Sequence, residues 1–274
     1  MSAAALRPET EAALQAQVAR AARDGTRLRL QGGGSKSAML RPVTGAETLT
    51  TAAHAGITLH APQELVLAAR AGTPLTTVAA ALAACGQHLI AEPPDLSALF
   101  GTTGAGPTLG GAVATNFSGP RRVLAGALRD HVLGLRAIDG RGDLLRSGGR
   151  VLKNVTGLDL CKLLTGSHGT LALITEITLK VLPAPEASGT LLLAALPPAR
   201  AVAALAAALG SPWPPSGAAF LPPEAAARLG LDGSATLCRI EDFAQFTPYR
   251  LHRLQQHLAP FAAGRLLAQA ESEA

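Results

Sequence analysis

Apolar positions Ala12, Leu14, Val18 and Ala21 recur at helical spacing over residues 8–23, and Gly25 stands where such a helix would stop. Residues 27–31 (RLRLQ) then alternate polar and apolar, which predicts a half-buried strand. Residues 57–60 and 64–70 predict a strand pair, 75–85 a helix closed by Gly86, and 88–91 another strand before an EPPD turn at 92–95. A Gly-rich stretch occupies 101–119. Strands are expected at 131–138, 143–146 and 170–181, with Asp139-Gly140 and Gly142 marking a hairpin between the first two. A short helix is expected at 158–164, bracketed by turns at Asn154–Gly157 and Gly166–Gly169. Strict alternation in the third strand would put Leu171, Leu173, Thr175 and Ile177 on one face.

Pro183 and Pro185 interrupt the pattern and divide the chain into residues 1–185 and 186–274. The second part reads as strand 189–195, helix 198–209, strand 217–221, short helix 223–229, strand 235–240, helix 248–258 and strand 263–269. That order is the β-α-β-β-α-β pattern of ferredoxin-like units.

Composition agrees with two packed parts. The chain has 274 residues, 48% of them apolar and 16% charged, against about 100–200 residues per domain. A mean hydropathy of +0.26 raises the question of a membrane span. The most apolar stretch, 190–209, is broken by Pro197, Pro198 and Arg200, so no spanning segment is expected. The amino terminus carries Glu9 and Glu11 and lacks an unbroken apolar core, unlike a secretory signal. Cys85, Cys161 and Cys238 are far apart and odd in number, which argues for a reducing compartment and against a disulfide frame or a metal site. The net charge is +5, but the basic residues are dispersed and no aromatic platform accompanies them, so nucleic-acid binding is not expected.

Three segments could carry chemistry. Gly32-Gly33-Gly34-Ser35-Lys36-Ser37 directly follows a predicted strand. Three glycines without Cβ atoms let backbone N–H groups converge on an anion, while Ser35 and Lys36 add a hydroxyl and a charge. Alone, the same loop also reads as a flexible turn. It matches neither a Walker loop nor GxGxxG in a βαβ unit. The second segment runs from Gly110 and Gly111 through Ala114 and Thr115 to Gly119, small enough for a ligand to lie against its backbone. If a helix began at Gly110 or Gly111, its free N–H groups would face an anion. The following Arg121 and Arg122 read as surface arginines or as contacts to phosphate or a partner. The third segment, 149–183, contains His168, which reads as a turn residue rather than a catalytic base.

Together and in this order, these segments resemble the FAD-binding domain of the vanillyl-alcohol oxidase / p-cresol methylhydroxylase superfamily. The text LGGAVATNFSGPRR and the continuous run from GALRDHVLGL to LITEITLKVLP are similar to the glycolate oxidase / D-lactate dehydrogenase branch. GGGSKS, AGTPL, AEPPD and SGPRR favour the FAD-binding subunits of bacterial glycolate oxidases within it. The resemblance is dense over residues 10–185 and faint beyond. It implies an α+β fold: a p-cresol methylhydroxylase (PCMH)-type FAD-binding domain of two α/β subdomains, then a shortened ferredoxin-like cap. It also implies that Gly32, Gly33, Gly34, Ser35 and Lys36 wrap the FAD pyrophosphate and that Gly110, Gly111, Ala114, Thr115 and Gly119 line the diphosphate and flavin. Gly169 and Ile174 would meet the adenine end, and Asp95 would fall near the flavin.

Relatives that attach flavin covalently do so through a His in the first loop. Ser35 stands there, so non-covalent FAD is expected. The implied partners are a larger FAD-linked subunit, an iron–sulfur subunit and a small 2-hydroxy acid such as glycolate or D-lactate. The implied location is the cytoplasm, with any inner-membrane association peripheral and through the complex. No catalytic acid–base pair stands out. A non-catalytic FAD-binding relay or assembly subunit, and a stand-alone flavin reductase, are the alternative readings.

Overall fold

The computed structural model describes residues 5–39, 41, 43–102, 106–149, 158–267 and 269–273. The expected turn at Asn154–Gly157 lies outside the described residues. Two compact units emerge: residues 1–119 with 127–183, and residues 120–126 with 184–274.

In the first unit, helix α1 (Glu11–Asp24) starts three residues later than the periodicity predicts. Thr10 caps it, its hydroxyl accepting from the Ala13 amide at 3.2 Å. Gly25 closes it in the left-handed conformation, φ +64°. Leu14 and Val18 pack onto β1 (Leu28–Gln31) and β2 (Glu47–Thr50), two parallel strands in register from Leu28 opposite Glu47 to Gln31 opposite Thr50. Sequence pattern alone did not reveal β2, whose four residues ETLT lack a clear alternation.

Next come β3 (Ile57–Ala61), β4 (Val66–Arg70), α2 (Leu75–Ala83), the short β5 (Gln87–His88), α3 (Leu109–Thr115), α4 (Arg122–Ala125) and α5 (Leu128–His131). They are followed by β6 (Val132–Asp139), β7 (Leu144–Gly148), α6 (Leu160–Leu164), β8 (Ala172–Lys180) and β9 (Leu182–Pro183). Strands β3-β4-β8-β6-β7 form one antiparallel sheet, and β5 pairs only with β9. The strand expected at 88–91 is therefore two residues long before the chain turns. The β6–β7 hairpin forms where expected: Asp139 Oδ1 accepts from the amides of Arg141 and Asp143, and Gly142 takes φ +96°.

The alternation expected along β8 does not hold. Arg136 opposes Glu176 but the next residue, Ala137, opposes Ile174, so Thr175 is the extra residue of a β-bulge. The bulge reverses the facing of everything beyond it. Ile174 and Ile177 consequently share the large core with Leu67, Val78, Leu82 and Leu109, whereas Leu173 joins Leu14 and Leu49 under α1. Leu171 lies outside the strand and is exposed.

The second unit contains β10 (Ala187–Ala194), α7 (Pro198–Leu209), β11 (Gly217–Leu221), α8 (Pro223–Ala227), β12 (Ala235–Asp242), α9 (Thr247–Leu258) and β13 (Gly264–Leu267). Sheet order β11-β12-β10-β13, antiparallel throughout, is the ferredoxin-like arrangement. Helix α7 presents Ala201, Ala204 and Ala208 to Leu191, Leu193, Cys238 and Leu254. Small side chains on α7 allow close approach, and the sheet leucines supply most of the buried area, about 1.5–3 kcal/mol each when fully buried.

Residues 120–126 pack with this unit, not with the first part of the chain where the sequence boundary put them. Arg121 takes part in that packing and is not a free surface residue. Its guanidinium forks onto Glu241 on β12, Nε to Oε2 at 2.9 Å and Nη2 to Oε1 at 2.6 Å. Both side chains are largely buried, at 15% and 8% exposure.

Candidate functional site

The first unit contains a cleft of about 720 Å³, its open mouth included. Strand β1 feeds directly into it. Gln31 is held by the Thr51 amide (2.9 Å to its carbonyl), and Thr50 Oγ1 donates to the Gly32 carbonyl at 2.9 Å. The chain then runs along the cleft as Gly32, Gly33, Gly34, Ser35, Lys36 and Ser37. Two of these glycines are required by geometry. A Cβ on Gly32 would lie 2.2 Å from Thr108 Oγ1, and Gly34 has φ +84°.

The opposite wall is α3. Thr108 caps this helix and, with Gly110, Gly111, Ala114 and Thr115, lines the cleft. A Cβ on Gly110 would meet Ala71 Cβ at 2.6 Å and its carbonyl at 2.8 Å, so α3 can sit on the end of β4 only with glycine there.

The expectation that this helix start offers free N–H groups to an anion is not met. Leu109 N–H donates to Thr73 O at 2.9 Å, Gly110 N–H to Ala71 O at 2.8 Å, Gly111 N–H to Thr108 Oγ1 at 3.3 Å and Ala112 N–H to Thr108 O at 2.9 Å. The helix begins at Leu109, one residue before the glycines, and its own cap and neighbouring strand satisfy the terminal amides. Gly110–Thr115 therefore contributes openness to the cleft, not hydrogen-bond donors.

The third wall comes from the 166–169 turn and β8. The Gly166 amide donates to Val113 O and the His168 amide to Ala114 O, pinning the turn to the end of α3. His168 (φ +55°) and Gly169 (φ +74°) are both left-handed, and both line the cleft with Ala172, Leu173 and Ile174. His168 is an exposed turn residue, as its sequence context suggested. In the same turn Ser167 Oγ is buried and has no hydrogen-bond partner among the described residues.

Eleven of the twelve residues singled out in the sequence line this one cleft. The exception is Gly119. Its amide donates to Ala91 O at 2.7 Å, and a Cβ there would lie 2.5 Å from Glu92 O. Gly119 is needed for tight packing of the EPPD turn and does not face the cleft. Asp95, in that turn, is exposed. Its Oδ1 accepts from Ser97 N (2.9 Å) and Ser97 Oγ (2.6 Å), which hold its carboxyl below the usual range. Thr51, Ala71 and Thr108 also line the cleft and escaped sequence reasoning. Only Thr108 carried a legible signal, an N-cap residue before a small-residue run.

Two further depressions share residues with the cleft. One shares Leu30, Gly169, Ala172 and Leu173 with it and extends past Val18, Leu28 and Ile138. The other shares Gln31, Gly33, Gly34 and Ser35 and reaches Ser97, Thr102 and Gly106. Lys36 is 8% exposed. Burial pushes its ammonium below the ordinary lysine value, and the Asp95 charge opposes that shift.

Residues 2–148 match the family described as the FAD binding domain. The chain belongs to this family. FAD is accordingly its cofactor, and the cleft's chemistry suits it: a run of glycine backbone and the largely buried Lys36 side chain are groups that can receive a diphosphate. This FAD-binding-domain chain is 50% identical over 176 residues to glycolate oxidase subunit GlcE of Escherichia coli, an overlap covering 64% of this chain and 48% of that protein. It is 41% identical over 100 residues to glycolate oxidase subunit GlcD of Bacillus subtilis, covering 36% of this chain and 20% of that protein. It thus spans about half the length of the first relative and less of the second. In structure it is similar to alkyldihydroxyacetonephosphate synthase, with a TM-score of 0.77 at 19% identity over 96% of this chain and 51% of that one. The fold is the PCMH-type FAD-binding fold. Among the described residues no helix is long and apolar enough to cross a membrane.

Proposed function

We propose that the chain is the FAD-binding subunit of a glycolate-oxidase-type complex that oxidises a small 2-hydroxy acid, glycolate or D-lactate, to the 2-oxo acid. The observation that carries this reading is the convergence of Gly32–Lys36, Gly110–Thr115 and Gly169–Ile174 on one cleft, in a chain that is 50% identical over 176 residues to a glycolate oxidase subunit. Bound FAD supplies an acceptor for the hydride of the substrate α-carbon. The protein's part is to bind and orient. The glycine loop and Lys36 take the diphosphate, the small residues of α3 let the cofactor lie flat, and Gly169 and Ile174 flank its adenine end. No histidine stands in the glycine loop, so attachment is non-covalent. A larger FAD-linked subunit and an iron–sulfur subunit would complete the complex.

One observation favours a second reading, a relay or assembly subunit that holds FAD without oxidising substrate. Among the described residues, the titratable side chains lining the cleft are Lys36 and His168, with no carboxylate. The described lining thus presents no acid–base pair for 2-hydroxy-acid oxidation.

Absorbance of the purified chain near 370 and 450 nm, where oxidised flavin absorbs, tests the cofactor site. Gly33→Glu places a side chain and a negative charge in the loop and should abolish flavin retention. A yellow Gly33→Glu protein would refute the diphosphate assignment. Anaerobic glycolate or D-lactate then separates the two readings. Bleaching of the flavin band means oxidation by this chain; an unchanged band with FAD bound means relay or assembly.

A further inference from the structure

Three of the chain's eight aromatic side chains are exposed, and all three fall within seven residues: Phe243 at 57%, Phe246 at 48% and Tyr249 at 59%. They stand on the turn from β12 into α9 and on the first turn of that helix. Apolar residues exposed singly are ordinary, whereas a cluster of them marks a surface that meets something. The turn is held from within. The Ala244 amide donates to Glu186 Oε2 at 3.0 Å and the Phe243 amide to Asp242 Oδ1 at 2.8 Å, and the Phe243 and Phe246 rings meet edge to face, 6.2 Å apart. Aromatic side chains so fixed lose little entropy when they are covered.

The same face continues along α9. Thr247, Leu251, Leu254 and Leu258 form the buried side of the helix, so Tyr249, Arg253 and Gln256 follow one another along its outer side. Arg253 lies over the Trp213 ring, 4.8 Å from its centroid. Its Nη1 donates to Gln256 Oε1 at 3.0 Å, and its Nε is buried with no hydrogen-bond partner among the described residues. Residues 247–258 carry Arg250, His252, Arg253 and His257 and no acidic residue. Arg250 pairs with Asp242, Nη1 to Oδ2 at 2.6 Å. Arg253 has no such carboxylate among the described residues.

We propose, on the basis of the subunit reading above, that Phe243, Phe246, Tyr249 and Arg253 dock an unlike protein subunit that presents apolar side chains beside a carboxylate. The carboxylate pairs with the Arg253 guanidinium, whose direction Trp213 and Gln256 fix, and the apolar side chains cover the three rings. Tyr and Arg are among the residue types that carry most of the binding energy of protein interfaces. Charge selects the occupant. A second copy docked on the same face would bring like cations together. An anionic bilayer would meet the carboxylates of Glu186 and Asp242 at the root of the aromatic turn. A protein surface places its carboxylate at the guanidinium alone and keeps it away from both.

Sedimentation velocity of the full chain mixed with the purified larger FAD-linked subunit and iron–sulfur subunit tests the surface. The wild type should join the assembly, and Tyr249→Ser should bind at least about tenfold more weakly. Arg253→Gln should weaken binding about tenfold at about 50 mM salt and much less at about 300 mM, where screening has already weakened the ion pair of the wild type. Both variants should retain FAD, whose cleft lies in the first unit. Should Arg253→Gln fail to fold once Trp213 loses its cover, Tyr249→Ser decides, because that side chain makes no hydrogen bond or ring contact among the described residues. Undiminished assembly of Tyr249→Ser overturns the proposal and leaves the subunit reading standing. So does a Tyr249→Ser variant that loses self-association, or binding to phosphatidylglycerol vesicles, in place of assembly. Absence of any assembly by the wild type overturns both the proposal and the reading beneath it.

Discussion

Glu11 ties α1 to the sheet that forms the cleft wall, and removing it should loosen that wall. Its carboxylate accepts from Arg136 Nε at 3.0 Å, from Arg136 Nη2 on the second oxygen, and from Thr175 Oγ1 at 2.6 Å. Thr175 is the bulge residue, and its carbonyl holds the Ala71 amide at 2.8 Å, next to Ile174 and Ala71 in the cleft. Glu11→Ala leaves Arg136 without this carboxylate and strips an acceptor from the fully buried Thr175. Truncating one partner of a buried pair costs about 3–5 kcal/mol, and exposed pairs contribute about 0–1. With Glu11 at 19% and Arg136 at 27% exposure, the expected loss is about 2–3 kcal/mol. That corresponds to a fall in Tm of about 5–10 °C for a unit of this size. Glu11→Gln keeps the shape and an acceptor and should lose about 1 kcal/mol.

The effect of Glu11→Ala must also depend on pH. The hydrogen bonds from Arg136 hold the Glu11 carboxyl below its ordinary value, with burial opposing and Thr175 assisting. A depressed folded-state value stabilises the protein above the unfolded value, about 4.3, and the contribution is lost as pH falls through the folded value. Urea unfolding of the FAD-free chain, followed by far-UV circular dichroism, should show a gap between wild type and Glu11→Ala at pH 7 that closes in acid. A loss under about 0.5 kcal/mol at pH 7, or a gap that persists below both values, refutes the reasoning.

Four other outcomes are expected. Gly110→Ala should lose about 1–3 kcal/mol because its Cβ collides with Ala71. Gly140→Ala, with nothing within 4 Å, should stay within about 0.5 kcal/mol in the same melts. Arg121→Ala strands the Glu241 carboxylate: burial alone pushes that group up, and Arg121 with Ser216 and Arg239 brings it below the ordinary value. Because Arg239 remains 3.4 Å away, the loss should be about 2–3 kcal/mol, read from the emission of Trp213, the single tryptophan. Thiol labelling at pH 8 should modify exposed Cys85 in the native chain and reach Cys161 and Cys238 only on unfolding, since burial pushes the Cys238 thiol up to about 12.

Much of the fold was legible because local pattern and tertiary environment agree. Helix α7 spans Pro198–Leu209 as its Pro start and Ala-rich face predict, and β11 spans Gly217–Leu221 as predicted. The glycine loop was legible as a candidate anion site, and lines the cleft, because its chemistry is local: consecutive residues without Cβ atoms plus one ammonium. What failed did so where a distant segment decides. The amides of α3 looked available, but whether a helix start is free depends on which strand end lies against it, here Thr73 and Ala71 of the β4 region. Gly119 looked like a ligand glycine, yet it answers to Glu92. Arg121 looked like a surface or phosphate residue until Glu241, 120 positions later, claimed it.

By itself, then, the sequence determined most of the strands and helices, the two-part order and the glycine-rich loop, since periodicity, turn chemistry and glycine content are properties of neighbouring residues. The tertiary structure decided which of those residues share one cleft. It also decided that the Thr175 bulge carries Ile174 and Ile177 to one side of β8, because facing beyond a bulge is set by the partner strand's register. And it alone showed the Lys36 side chain to be largely buried, because burial is decided by everything that packs around a side chain and not by its chain neighbours alone.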